Sequence, residues 1–322
     1  MSILQAAIVV LGVFLAVVCW LLYRSLVQHG HDLLRIRDLE RQLAAPGSTK
    51  DPLPRVEELF QKLFHPVRVN DTYDLENIWS NVVYGDEYGV AQKRLEPGDV
   101  VVDVGANIGA FSYLCHVLGS RAIFCYEPGV RNFQALNSNL GHLPGTQLFQ
   151  TAVWRSDDDG RRELFLSEGP NSGAHSVLVA GHTLDFTAQR VLNDSQEGYP
   201  ITCVPLDAIL ERFGRVKILK LDCEGAEFPI LLTSRRLDRV ERVVAEVHEQ
   251  GEEIVAALDS HCRLPGYTAY RREHLVARLE SLGFHVTTYA SDQHMYILDA
   301  RRVESGSEAQ AGQGVSSTGL RS

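Results

Sequence analysis

The hydrophobic and polar positions along the chain divide it into four zones. Residues 3–23 carry no charged side chain, and a helix of that length would cross a hydrocarbon core of about 30 Å. Apolar positions at helical spacing and then several prolines follow in 25–54, which predicts an amphipathic stalk and a linker. Residues 55–300 alternate short apolar runs with helical patterns, and 301–322 are polar without periodicity. We therefore expect a transmembrane anchor (1–24), this stalk and linker, one α/β domain and a disordered tail.

Charges near the apolar segment predict how the anchor is oriented. Several arginines follow the segment and no Lys or Arg precedes it, so the positive-inside rule places the large domain in the cytosol. A cleaved signal peptide is the competing interpretation, but it needs a basic start and small residues at the cleavage site, where this chain has the bulky residues 20–23. We expect a single-pass membrane protein. Its stalk either pairs two chains as a short coiled coil, giving a homodimer, or lies as a single helix near the membrane surface.

Short apolar runs in the domain predict a mostly parallel sheet covered by helices. The predicted strands are 100–104, 122–126, 147–153, 201–204, 216–221 and 242–247, with a terminal hairpin of 285–289 and 295–298. Four helices are predicted. The first follows Gly109 and the second includes 133–140. The third spans 208–213 with Asp207 as N-cap, and the fourth spans 274–282 and ends at Gly283. In such sheets, ligands bind beyond the carboxyl ends of the strands, where the strand order reverses.

A glycine turn follows the first of these strands. Gly105 and Gly109 separate the strand from a helix, and this pattern opens a mononucleotide-binding half-fold. Asn107 stands where a dinucleotide-binding motif has its second glycine, which weakens the case for a pyrophosphate ligand. Asp103 suits a cationic ligand better, and S-adenosylmethionine carries a sulfonium and an ammonium but no phosphate. The alternative is a plain tight turn in an α/β protein.

Acidic side chains end nearly every predicted core strand. They are Asp103, Glu127, Asp222, Glu224 and Glu246, joined by the imidazole of His248. Glu127 follows the glycine turn by about twenty residues and is predicted to accept hydrogen bonds from ribose hydroxyls, the alternative being an acid at a helix N-terminus. Asp222, Glu224 and His248 are the candidates for a general base. We expect His248 to titrate near neutrality, as an ordinary histidine does, and its alternative role is to orient a loop.

Two further charges lie in the stretch 219–227. Lys220 is a cation within an otherwise apolar strand, so it needs a partner such as Asp222 or another carboxylate. Gly225 permits a close approach of the backbone. Glu227 is expected to cap the helix that follows.

Composition excludes several classes of function. The formal net charge of −10, without a basic stripe interleaved with aromatic residues, makes nucleic acid an unexpected partner. The six cysteines form no C-x-x-C pair, which indicates buried thiols rather than a disulfide framework or a zinc site. No H-E-x-x-H or comparable spacing of metal ligands occurs, so no metal is predicted, although a magnesium ion between carboxylates stays open.

Several motifs occur together in one order along the chain. They are Val101-Val-Asp-Val-Gly-Ala-Asn-Ile-Gly109, Tyr126-Glu-Pro128, Pro205-Leu-Asp207, Leu219-Lys-Leu-Asp-Cys-Glu-Gly-Ala-Glu227 and Glu246-Val-His248. From about Tyr84 to Leu298 the chain thereby resembles the FkbM-type family of S-adenosylmethionine-dependent methyltransferases. The resemblance implies a class I, seven-stranded, Rossmann-like fold whose last strand is antiparallel. It also implies that the methionine part of the cofactor is held by Asp103, Gly105, Asn107 and Gly109. Glu127 is implied to bind the ribose.

The resemblance also implies a reaction. Family members typically methylate hydroxyl groups on sugars, glycolipids or polyketide-like products. Together with the predicted anchor, this implies a membrane-anchored O-methyltransferase whose acceptor is a sugar, a glycolipid or a lipid-linked molecule. Two alternatives belong to other classes. They are a nicotinamide-dependent oxidoreductase, against which Asn107 argues, and a non-catalytic membrane-tethered scaffold that binds S-adenosylmethionine.

Overall fold

The structure, a computed structural model, describes a defined part of the chain. The described residues are 78–79, 81–83, 85–91, 94–158, 163–166, 183–185, 190–192, 199–258, 262–290 and 295–303. The predicted anchor, stalk and linker lie outside them, as does the predicted tail after its first three residues. Within the described residues, no helix has both the length and the apolar character that a membrane span requires.

The strands form one large sheet and two small ones. They are β1 Val100–Val104, β2 Ala122–Tyr126, β3 Thr146–Phe149, β4 Ala152–Trp154, β5 Glu163–Leu166, β6 Thr183–Asp185, β7 Arg190–Leu192, β8 Tyr199–Pro205, β9 Val216–Leu221, β10 Val240–His248, β11 Phe284–Ala290 and β12 Met295–Arg302. The large sheet has seven strands in the order β11-β12-β10-β9-β1-β2-β3. Its strand pairs are parallel except those of β12, which is antiparallel to both β10 and β11. The expected seven-stranded sheet with a reversed last strand is thereby confirmed.

Helices cover both faces of the large sheet. They are α1 Ala110–Leu118, α2 Val130–Leu140, α3 Leu206–Leu210, α4 Glu227–Thr233, α5 Glu252–Ala257 and α6 Arg272–Ser281, with a 3₁₀ helix at Leu237–Arg239. On one face, Val101 and Ile218 join a cluster with buried residues of α1 and α2. On the other face, Val102 and Leu219 join a cluster with residues of α3, α4 and α6. A strand buried on both faces needs apolar residues at consecutive positions, which is why these strands are continuous apolar runs in the sequence.

The strand order reverses between β1 and β9. From β1 the chain continues to β2 and β3 on one side, whereas β9 leads to β10 on the other side. The two strands pair in parallel, with Asp103 opposite Lys220, so their carboxyl ends lie at the same edge of the sheet. An open α/β sheet binds its ligand at such a point. The fold therefore places the glycine turn after β1 and the acidic turn after β9 at the expected ligand site.

One predicted strand is divided between two sheets. The prediction of a single strand over 147–153 is wrong, because β3 ends at Phe149 in the large sheet and β4 begins at Ala152 beside β8. Thr151 lies at the change of sheet, where its hydroxyl donates to the carbonyl of Thr202 at 2.8 Å. Polar residues occur inside β3 as well as between β3 and β4, so the hydrophobic pattern alone does not locate the break.

The predicted helix ends are partly right. Gly283 follows α6 with a φ of +83°, and its N–H donates to the carbonyl of Glu280 at 2.9 Å, so the predicted C-terminal signal is confirmed. Asp207 is not an N-cap, because α3 begins one residue earlier. Its carboxylate instead accepts hydrogen bonds from the hydroxyl of Ser234 at 2.6 Å and the N–H of Arg235 at 3.0 Å. Asp207 thereby connects α3 to the end of α4.

Candidate active site

The glycine turn between β1 and α1 is a tight backbone structure at the reversal point. Gly105, Asn107 and Gly109 have φ angles of 71°, 50° and 95°, which lie in the left-handed region. The N–H of Gly105 donates to the carbonyl of Tyr126 at 3.0 Å. A Cβ at position 105 would lie 1.7 Å from the carbonyl oxygen of Asp222. The turn is therefore wedged between the ends of β2 and β9, and only glycine fits at position 105.

Asn107 leaves a polar atom of the turn without a partner. Its side-chain oxygen is buried, and none of the described residues donates a hydrogen bond to it. Leaving a buried acceptor unsatisfied costs about 1–3 kcal/mol, which a bound donor would recover. The ammonium of an amino-acid group is such a donor. The turn thus fits the methionine part of S-adenosylmethionine.

Glu127 ends β2 beside the glycine turn. One of its carboxylate oxygens accepts a hydrogen bond from the N–H of Asn107 and the other from the N–H of Gly129, both at 2.8 Å. The side chain is almost fully buried, and this desolvation raises the pKa of Glu127 to about 7 despite the two backbone hydrogen bonds, which lower it. Each oxygen retains a lone pair for a ligand hydroxyl. The ribose role remains a prediction, and the observed contacts show that Glu127 also shapes the turn.

The raised pKa of Glu127 predicts opposite effects of pH on binding and on stability. Ionised Glu127 is the better acceptor, so lowering the pH through about 7 should weaken the binding of S-adenosylhomocysteine. In the protein without ligand, a carboxyl whose folded pKa is raised contributes stability that is complete below its unfolded pKa of about 4.5 and is lost as the pH rises through about 7. Calorimetric titration between about pH 6 and 8 measures the effect on binding, and urea unfolding between about pH 4 and 8 measures the effect on stability.

The matched variant for this prediction is Glu127→Gln. It should bind S-adenosylhomocysteine more weakly than the wild type at pH 8, and its affinity should change much less with pH. If wild type and variant showed the same pH dependence of affinity, the titrating group would lie elsewhere in the site.

Asp103 lies beneath the glycine turn rather than on its surface. Its side chain is fully buried, one oxygen accepts a hydrogen bond from the hydroxyl of Ser112 at 2.7 Å, and the other lies 3.3 Å from Nζ of Lys220. The predicted direct contact between Asp103 and the cofactor is incompatible with this burial. Asp103 instead supports the turn through Lys220, which in turn binds the carbonyl of Gly105.

The turn between β9 and α4 carries two of the predicted catalytic acids, Asp222 and Glu224. Glu224 and Gly225 both have positive φ, at 52° and 94°, which makes the turn tight. Glu227, the first residue of α4, accepts hydrogen bonds from the N–H of Cys223 at 2.7 Å and of Gly225 at 3.0 Å. The prediction that Glu227 caps the helix is therefore wrong, because its carboxylate binds N–H groups of the turn that precedes the helix.

His248 does not fit the predicted role of general base. It is buried at the end of β10, with Nε2 3.6 Å from a carboxylate oxygen of Glu224 and Nδ1 3.7 Å from one of Glu227. Burial alone would lower the pKa of His248, but the two carboxylates outweigh it and raise the pKa well above its ordinary value. An imidazolium at neutral pH has no lone pair to accept a proton. His248 therefore acts as a fixed positive charge beside Glu224. This agrees better with the alternative prediction, in which His248 orients a loop, than with a general base.

Glu224 itself is suited to proton transfer. Desolvation, with the charge of Asp222, raises the pKa of Glu224 to about 7 against the opposing charge of His248. Desolvation and the charge of Asp222 also raise the pKa of Glu246, which stands on β10 facing the same edge. A general base works best when its pKa lies near the working pH. Among the predicted candidates, Glu224 meets this condition.

A segment before the sheet contributes residues that the sequence did not reveal. Arg242 of β10 pairs with Asp299 at 2.8 Å and donates to the carbonyls of Tyr88 and Gly89 at 2.9 and 3.0 Å. The phenol of Tyr88, buried by this attachment, donates to Oδ2 of Asp222 at 3.1 Å. The signal in the sequence was the charge of Arg242 in a largely apolar strand, because a buried guanidinium needs hydrogen-bond acceptors from another segment.

Three of the predicted site residues also have metal-ligand geometry. One ligand atom each from Asp222, Glu224 and His248 lies within 4.8 Å of the others. Linear spacing could not indicate this group, because His248 comes from a different strand. A protonated His248 cannot bind a metal ion, so a magnesium ion here would have only the carboxylates of Asp222 and Glu224 as ligands from this group.

Comparison with known proteins agrees with this geometry. The model of the methyltransferase FkbM domain family matches residues 103–286, from the end of β1 to β11. The chain is 34% identical over 193 residues to the 31-O-demethyl-FK506 methyltransferase FkbM of Streptomyces tacrolimicus, covering 52% of this chain and 74% of that protein. It is 27% identical over 179 residues to the hexuronic acid methyltransferase AglP of Haloferax volcanii, covering 54% and 67%.

Solved structures include one with the cofactor bound. The magnesium protoporphyrin IX methyltransferase of Synechocystis PCC 6803 with bound SAM is 9% identical, covers 84% of this chain and 97% of its own, and has a TM-score of 0.33. The family match spans more than half of the chain and includes the glycine turn, Glu127 and the acidic turn, so the oxidoreductase alternative is wrong. The chain belongs to the FkbM family of methyltransferases, and S-adenosylmethionine is its cofactor.

Proposed function

We propose that the chain is a membrane-tethered O-methyltransferase that acts on a hydroxyl group of a sugar, a glycolipid or a lipid-linked acceptor. The observation that carries the choice of oxygen is Glu224, which lies on the turn that meets the glycine turn at Asp222 and has a pKa raised to about 7. A hydroxyl keeps its proton at neutral pH and becomes a much better nucleophile as that proton leaves.

The residues of the chain divide the work of the reaction. The glycine turn and Glu127 hold the cofactor, which supplies an electrophilic methyl group when bound. Glu224 accepts the proton of the acceptor hydroxyl, while His248, 3.6 Å away, holds the Glu224 carboxylate in place and stabilises its charge. Much of the rate enhancement comes from holding the two reactants in line. Positive charge moves toward the acceptor oxygen during transfer, and the carboxylates at the ends of β9 and β10 stabilise it there.

The membrane part of the proposal rests on the sequence. The charge-free segment 3–23 is followed by arginines, which favours an anchor with the catalytic domain on the cytosolic side. Tethering would raise the effective concentration of the enzyme near an acceptor in the same membrane. Two relatives are named for their substrates, 31-O-demethyl-FK506 and a hexuronic acid, which supports an oxygen acceptor. The stalk, 25–54, would join two chains as a homodimer if it forms a coiled coil.

Incubation of membranes that contain the full-length chain with methyl-labelled S-adenosylmethionine tests the proposal. We expect label in the lipid extract, on a product that resists mild alkali, because a methyl ether survives conditions that hydrolyse a methyl ester. Membranes with the Glu224→Gln variant are the control. Alkali-labile label would contradict ether formation. No label from a chain that binds S-adenosylhomocysteine would instead favour the non-catalytic scaffold.

A further inference from the structure

Lys220 is a buried cation that the proposed reaction does not use. It lies on β9 with almost no exposed side-chain surface. Its ammonium donates to the carbonyl of Gly105 at 2.7 Å and lies 3.3 Å from Oδ1 of Asp103 and 3.5 Å from Oδ2 of Asp222. Burial would lower the pKa of Lys220, but the two carboxylates outweigh it and raise the pKa above its ordinary value. The side chain is therefore permanently charged beneath the reversal point of the sheet.

The contact with Gly105 fixes one peptide group of the cofactor turn. The carbonyl of the Gly105–Ala106 peptide accepts from Lys220, and its N–H donates to the carbonyl of Tyr126 at 3.1 Å. The peptide is thus held on both sides. Without the ammonium, a glycine at positive φ has other conformations open to it, and rotation of this peptide would change the direction of the groups that face the ligand.

The same ammonium also contacts Asp222, on the turn that carries the proposed base. Oδ2 of Asp222 is close to both the Lys220 ammonium and the hydroxyl of Tyr88, whereas none of the described residues hydrogen-bonds to Oδ1. These two contacts fix the orientation of the Asp222 carboxylate. One side chain, Lys220, therefore touches both the turn that binds the cofactor and an acid of the turn that carries the proposed base.

We propose that Lys220 is a positioning residue that sets cofactor affinity by holding the Gly105–Ala106 peptide and that aligns Asp222 with the cofactor turn. The inference about affinity rests on family membership and on these contacts, not on the proposed acceptor. A simpler role would be to neutralise Asp103, since a buried unpaired carboxylate is strongly unfavourable. The two roles predict different behaviour when Asp103 is neutralised by mutation.

Three variants separate the roles, with S-adenosylhomocysteine as the probe. Lys220→Met should raise the dissociation constant of S-adenosylhomocysteine by about 10–100-fold, which is the range for loss of a charged hydrogen bond. It should also lower the midpoint temperature of thermal unfolding. Lys220→Met with Asp103→Asn should recover most of the unfolding midpoint, because no buried charge is left unpaired, yet keep the weakened affinity. Lys217→Met is the matched control on the same strand, since Lys217 is 40% exposed and pairs with Glu241.

Calorimetric titration and thermal unfolding of the full-length chain give both quantities. If the double variant binds S-adenosylhomocysteine within about twofold of the wild type, Lys220 only balances the charge of Asp103 and the proposal is wrong. The same conclusion follows if Lys220→Met alone binds like Lys217→Met. Should Lys220→Met fail to fold, the double variant decides the question. If the wild type forms no methyl ether while the double variant still binds S-adenosylhomocysteine weakly, the proposed function is wrong and this inference stands.

Discussion

Replacing Gly105 by alanine should abolish cofactor binding and destabilise the domain by more than about 4 kcal/mol. The added Cβ would lie 1.7 Å from the carbonyl oxygen of Asp222, and this backbone atom cannot move aside without displacing the end of β9. The residue also has a φ of 71°, which alanine adopts at a cost of roughly 1–2 kcal/mol. Urea unfolding and titration with S-adenosylhomocysteine measure the two effects.

The chain offers a graded series of controls for this variant. A Cβ at Gly98 would meet nothing within 4 Å, so Gly98→Ala should leave stability within about 0.5 kcal/mol of the wild type. At Gly109 the Cβ would lie 2.8 Å from the side-chain ends of Leu136 and Leu140, which can shift, so the loss should be intermediate. A Gly105→Ala protein as stable as Gly98→Ala would show that the end of β9 is not wedged against the turn.

Replacing Glu224 by glutamine should lower kcat by about 10²–10⁴-fold while leaving the affinity for S-adenosylhomocysteine nearly unchanged. Glutamine keeps the size of the side chain but cannot accept the proton of the acceptor. In the wild type, kcat should rise with pH through about 7 and then level off, because Glu224 is active only when ionised. In the variant, this limb of the pH profile should be absent. Initial rates with the acceptor isolated from labelled membranes provide the measurement.

A matched substitution outside the site keeps this result interpretable. Glu253→Gln, on the exposed side of α5, makes the same chemical change where no reacting group lies near. It should retain the kcat and the pH profile of the wild type. If Glu224→Gln also retained both, Glu224 would not be the base, and Asp222 would be the next candidate at the same turn.

The sequence predicted the large sheet well because its strands are buried on both faces. Continuous β-branched and apolar runs such as 100–104 have few other interpretations, and the turn glycines marked where each run ended. The break within 147–153 was missed for a related reason. Polar residues inside β3 resemble those between β3 and β4, and what separates the two strands is the pairing of β4 with β8, a partner about fifty residues away that local pattern cannot indicate.

The site was predicted less completely, because charges act on each other across strands. His248 was expected to titrate near neutrality, but Glu224 and Glu227 surround it and keep it protonated. Asp103 was expected to face the ligand, yet it is paired with Lys220 under the turn. Their roles toward cofactor and acceptor stay predictions. Their protonation and exposure depend on neighbours that only the folded sheet brings together.

The bond network of Arg242 has a practical consequence for dissecting this protein. Tyr88 and Gly89 precede every strand of the large sheet, yet their carbonyls are held by Arg242, and the phenol of Tyr88 reaches Asp222. A fragment trimmed to begin at β1 would retain all seven strands, yet the guanidinium of Arg242 would lose two carbonyl partners and Asp222 would lose the phenol of Tyr88. A fully active fragment therefore has to include Tyr88 and Gly89 as well as the seven strands.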